Sequence, residues 1–136
     1  MIISKIKSVI YEYVDGRGHG VVSNWLRERQ DPDLTARVDQ KIDLLEDNGT
    51  DLPPGLLSGT KHRSVDKLRI FGKKTTWRIM LSKERSETQF AFTLLFVAQE
   101  KDRKLIPKDA YNQAEGNRIK LIDTPERRQI YERDNE

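Results

Sequence analysis

Five cations fall within twelve residues of this chain, at Lys67, Arg69, Lys73, Lys74 and Arg78, interleaved with Leu68, Ile70, Trp77 and Ile79. Alternation of this kind predicts a strand over 65–71 and a second one from Thr75, joined by the tight basic turn Gly72-Lys73-Lys74. One face of such a hairpin is apolar and the other carries Lys and Arg. A sheet face can hold several of these charges along a phosphate backbone, so a polyanion suits it. Outward strand positions are also often Lys or Arg simply to block edge-to-edge pairing. There are no cysteines, which excludes disulfides, thiolate nucleophiles and thiolate metal sites together. His19 and His62 lie far apart in sequence and nothing has metal-ligand spacing; a zinc site built from His and carboxylates stays open on composition, but no metal and no cofactor are expected.

The elements around this hairpin read as follows. Val9, Ile10, Tyr11, Tyr13 and Val14 mark a first strand, closed by a turn from Asp15 to Gly20. That turn contains Gly16, Gly18, His19 and Gly20, but no Lys-Ser/Thr follows, so it reads as a flexible turn and not a phosphate loop. A helix is expected from Ser23 or Asn24 through Trp25 to about Gln30, and a second over 32–47. The second has Asp31 as N-cap, Pro32 at its first position, and an apolar stripe of Leu34, Val38, Ile42 and Leu45. Asn48-Gly49 ends it, and 51–63 reads as a loop. Further strands are expected at 75–82 and 90–98, the latter apolar enough to be buried on both faces, with a charged mobile turn over 83–89 between them. Pro107 opens a helix from Lys108 to about Gly116, followed by a short strand over 118–122 and a charged helix from Pro125. The order β-α-α-β-β-β-α defines an α+β domain with a small, mostly antiparallel sheet of about four strands. Two N-terminal helices cover one sheet face, and the basic residues occupy the open one.

That order, with its motifs, resembles the RelE superfamily of toxins, most closely its phage-derived HigB-like branch. The resemblance rests on Leu57-Ser58-Gly59, Lys67-Leu68-Arg69-Ile70, Trp77-Arg78-Ile79-Met80, the apolar strand ending Leu95-Phe96-Val97, a basic loop, and Ile106-Pro107-Lys108-Asp109. It covers roughly residues 8–116, giving a RelE/HigB-like domain over 1–116 and a charged extension over 117–136. It implies a metal-independent mRNA interferase in which the 2′-OH attacks the adjacent phosphate, usually on the ribosome, and which is neutralised by a cognate antitoxin. Such chemistry needs only an aligned phosphate, stabilised charge and moved protons. By resemblance, Arg78 would bind the scissile phosphate and Arg69 would support it. Lys67, on the same strand face as Arg69, is a candidate base or RNA-backbone contact. Lys101 and Lys104 match a second cationic catalytic group. Lys73, Lys74, Arg103, Lys108, Tyr111 and His62 are expected to contact RNA. Tyr111 could instead pack, and Trp77 could stack on a base or belong to the core.

Length and charge frame these expectations. A chain of 136 residues is the size of one domain. From Lys61 to Lys108 there are thirteen cations against five anions, whereas from Val21 to Asp51 there are four against eight. The acidic helical part and basic sheet part make the domain dipolar, with nucleic acid expected on the sheet side. No apolar run approaches a membrane span and no signal-peptide pattern opens the chain, so a soluble cytoplasmic protein is expected. A non-catalytic RNA- or protein-binding module of the same fold remains the alternative to the nuclease. An interaction protein working through its acidic second helix and tail is a third reading. The sequence is silent on oligomeric state.

Overall fold

The apolar run from Phe90 forms the strand around which the sheet is built. The computed structural model describes residues 7–85 and 89–133. Among these the sheet has seven strands: β1 (Val9–Tyr13), β2 (Leu57–Gly59), β3 (Asp66–Phe71), β4 (Thr76–Arg85), β5 (Phe90–Lys101), β6 (Lys104–Ile106) and β7 (Arg128–Ile130). Their order is β2-β3-β4-β5-β1-β7, with β6 also pairing β5. β1 runs parallel to β5 and the other pairings are antiparallel, so the sheet is mixed. The expected α+β class holds, but the layout of about four strands does not. The unforeseen β2, β6 and β7 have three residues each, too few for a period of two to stand out. β4 also continues through Arg85 into the expected 83–89 turn, and residues 86–88 of that turn lie outside the described residues.

Among the described residues three α-helices accompany the sheet: α1 (Val21–Arg29), α2 (Pro32–Asn48) and α3 (Ala110–Asp123). α2 begins as its sequence predicts, with the Asp31 carboxylate accepting from the Asp33 and Leu34 amides and Pro32 next to the cap. Its stripe of Leu34, Val38, Ile42 and Leu45 packs with Val22 and Leu26 of α1 onto one sheet face, against Leu68, Ile70, Ile79, Phe92 and Leu94. α1 starts two residues before the expected Ser23, for a reason no local pattern shows. Its N-cap, Gly20, has no side chain, and the buried Glu12 carboxylate on β1 supplies the cap. Glu12 accepts from the Val22 and Ser23 amides at 3.0 and 2.9 Å, from the Ser23 hydroxyl, and from Gln129 at 3.0 Å.

The second sheet face is not open. α3 covers part of it, burying Ala110 and Ala114 against Val65, Met80, Leu95 and Ala98. Two alanines four apart let the helix sit close to the strands, and Asn117 donates to the Leu95 carbonyl at 2.8 Å. Residues 118–122, expected as a strand, continue α3, and the helix expected from Pro125 is replaced by a turn and β7. Gly116 interrupts nothing, because the space beside it is open and a helix tolerates one glycine. The turn from Asp15 to Gly20 is ordered: the Asp15 carboxylate accepts from the Arg17 and His19 amides, and the Asp15 amide donates to the His19 carbonyl.

Candidate functional site

β3 and β4 pair so that Arg69 stands directly opposite Arg78. Leu68, Ile70, Trp77 and Ile79 point to the helix-covered face, so alternation sends Lys67, Arg69 and Arg78 to the face shared with α3. Like charges directly opposed on a sheet repel unless an anion lies between them. Glu100 of β5 is that anion. Pairing of Thr76 with Glu100 and of Arg78 with Ala98 sets its side chain diagonally from Arg78.

The Arg78 guanidinium grips Glu100 with two parallel bonds, Nε to Oε2 at 3.0 Å and Nη2 to Oε1 at 2.6 Å. Its remaining nitrogen, Nη1, donates to the Tyr111 hydroxyl at 2.8 Å. Tyr111 sits in the first turn of α3, so the helix that packs on this face also delivers the phenol. Because the phenol oxygen accepts from Arg78, its own O–H remains able to donate elsewhere. Arg69 Nε lies 3.8 Å from Glu100 Oε2, too far for a hydrogen bond, and is buried without a hydrogen-bond partner among the described residues. A buried donor left unmatched costs stability and calls for an acceptor. Lys67 completes the group. Burial, then the charges of Arg78 and Arg69, hold its ammonium below the ordinary lysine value, against a smaller opposing pull from Glu100. Three cations thus share one carboxylate, leaving an electropositive site with a carboxylate and a phenol at its centre.

The structure brings together Lys67, Arg69, Arg78 and Tyr111 of the expected residues, and adds Glu100. Sequence reasoning missed Glu100 because a single acid ending an apolar strand looks like a solvated residue. Only the two-strand register reveals that it faces Arg78. Lys101 and Lys104 are exposed and pair across the β5–β6 turn. Alternation turns Lys101 away from the face that Glu100 occupies, so neither lysine joins the cluster. With Lys108 they line a hollow of about 360 Å³. Arg103 occupies the turn between them in a left-handed conformation, as does Asp102. Lys73 and Lys74 are exposed in the β3–β4 turn. Because Thr76 pairs with Glu100, that turn and the β5–β6 turn lie at the same end of the sheet, forming a basic rim beside the cluster. His62 stands apart, its Nε2 within 2.9 Å of Asn112 Oδ1 on α3. Trp77 belongs to the core, edge-on to Trp25 with ring centroids 5.0 Å apart, and Arg29 lies over its ring. A hollow of about 590 Å³ further along the α3 face also carries cations, but Lys83, Arg118 and Arg128 there are paired with Asp66, Glu115 and Glu84. Among the described residues no cluster of His, Cys, Asp and Glu could hold a metal ion, and no helix is long and apolar enough to cross a membrane.

Compared with protein-family models, with curated proteins and with solved structures, the chain matches none.

Proposed function

We propose that the chain is a metal-independent endoribonuclease, a RelE-like toxin cutting mRNA on the ribosome, with the Lys67–Arg69–Arg78–Glu100–Tyr111 cluster as its active site. The observation that carries this reading is the buried, unmatched Arg69 Nε beside a carboxylate already held by a second arginine. Glu100 leaves Arg69 Nε unsatisfied, and the partly exposed Arg69 guanidinium is a donor group that a phosphate oxygen would take up. The resemblance to RelE toxins is one of residue order alone, and the reading stands on the chemistry of the cluster.

In this mechanism Arg69 and Lys67 bind the scissile phosphate and stabilise the charge that builds on it. Glu100 takes the proton from the 2′-OH as the new O2′–P bond forms. Tyr111 donates its proton to the 5′ oxygen as the P–O5′ bond breaks, leaving a 2′,3′-cyclic phosphate and a 5′-OH. Arg78 holds base and acid in register through its three hydrogen bonds, a positioning task rather than the direct phosphate contact the resemblance implies. The exposed Lys73, Lys74, Lys101, Lys104 and Lys108 then track the RNA backbone at the rim. An acidic antitoxin segment laid over this rim would neutralise the protein.

The same closed Arg78–Glu100 fork favours a second reading, a non-catalytic RNA-binding module in which the pair only braces the sheet. Primer-extension mapping of mRNA on programmed ribosomes, with free mRNA alongside, separates the two. The nuclease reading expects cuts that persist in chelator and fall by about 10²–10⁴-fold in Glu100→Gln. A folded protein that binds RNA but makes no cuts under either condition overturns the nuclease and leaves the module.

A further inference from the structure

Among the described residues the exposed large hydrophobic side chains are four isoleucines and one aromatic, Phe71, which is 48% exposed. Its position is specific. Phe71 ends β3 two residues beyond Arg69, so its ring shares the sheet face of Lys67, Arg69 and Arg78. Two residues along a strand span about 6.8 Å, close to the stride of one nucleotide in an extended single strand. Lys73 and Lys74 follow at once in the turn, exposed.

The backbone beneath the ring is also anchored. The Phe71 carbonyl accepts from Arg37 Nη1 of α2 at 3.2 Å, and Arg37 is itself held by Asp33. The turn closes through the Gly72 amide on the Thr75 carbonyl at 2.9 Å, and a Cβ at residue 72 would lie 2.8 Å from that oxygen. A half-exposed ring that packs in neither core cluster, on a strand end held through its backbone and beside the Arg69 guanidinium, has the attributes of a stacking surface.

We propose that Phe71 stacks on the nucleobase next to the phosphate held by Arg69, making the β3–β4 turn a base-binding subsite for single-stranded RNA. This rests on the RNA reading of the cluster. Stacking is indifferent to base identity, so the subsite adds affinity and fixes the strand's path without reading a sequence.

The test is the fluorescence anisotropy of a short labelled single strand carrying 2′-O-methyl groups, which block cleavage, beside the same strand made abasic. Phe71→Ala, Phe71→Leu and Phe71→Trp are compared with wild type across a salt series. Expected for Phe71→Ala and Phe71→Leu is an affinity about tenfold lower for the base-bearing strand, unchanged affinity for the abasic one, and an unchanged salt slope. Phe71→Trp should bind at least as tightly as wild type. Equal binding of the base-bearing strand by wild type and Phe71→Ala overturns the subsite while leaving the RNA reading intact. A loss that is the same on the abasic strand, or that Phe71→Trp shares, overturns stacking. If wild type binds neither strand, the subsite for single-stranded RNA is overturned, while the cuts mapped on programmed ribosomes decide the nuclease reading separately.

Discussion

Lys67 is the side chain whose charge the fold works against. Burial and two neighbouring guanidinium groups hold its ammonium below the ordinary value of 10.5 that it has in the unfolded chain. Below the folded value both states carry the proton and the folded state bears the whole penalty. Between the folded value and 10.5 the unfolded chain holds a proton that the folded one lacks, so stability rises with pH through that window. Lys67→Met removes the penalty and keeps the stem. It should raise the thermal midpoint at neutral pH by a few degrees, with the gain shrinking as pH approaches 10.5. Calorimetry across that range checks it, and a destabilised variant at neutral pH would contradict the electrostatic account. A side chain that destabilises its own domain is the sort that active sites retain.

The elements differ in how far a local pattern could announce them. α2 was legible because its apolar spacing, N-cap and proline all lie within the segment itself. The β3–β4 hairpin was legible for the same reason, and with it three of the five cluster residues. The start of α1 was not, since its cap comes from Glu12, a strand away, and the length of α3 was not, since 118–122 alternates as a strand would. Glu100 and the placement of Tyr111 depend on strand register and on the packing of α3, neither of which is written in any short window. The cap gives a prediction larger than N-cap preference alone would set. Glycine is already preferred to alanine at that position, and a Cβ at Gly20 would in addition crowd the Glu12 carboxylate and lie 2.6 Å from Gln129 Nε2. Gly20→Ala must push the carboxylate off the α1 amides and should cost about 2 kcal/mol. Urea denaturation with an unchanged midpoint would show that Glu12 can move aside freely.

For the whole molecule, residues past 116 matter more than a charged extension suggests. β7 adds to the sheet beside β1, and the Tyr131 amide donates to the Ile10 carbonyl. The buried Tyr131 hydroxyl donates to Asp39 of α2 at 2.8 Å, while Arg133 bridges Asp43 and Glu46. Burial and the Asp39 carboxylate push the Tyr131 phenol well above its ordinary value of 10.0. That contribution is present below pH 10 and is lost as pH climbs above it toward the folded value, because the unfolded chain ionises first. Tyr131→Phe should therefore be less stable at neutral pH by about 1–3 kcal/mol. Its stability should also fall less steeply above pH 10 than that of wild type, which urea titrations at stepped pH would read. The parallel pairing of β1 with β5 has a kinetic consequence. β1 is synthesised first, yet its neighbours are about 80 and 117 residues downstream. During translation it must wait, unpaired, while the β3–β4–β5 meander that carries the basic cluster can close on its own neighbours. Long-range closure of this kind is slow. The sheet of the nascent chain can therefore be completed only after β5, through Lys101, has emerged from the ribosome.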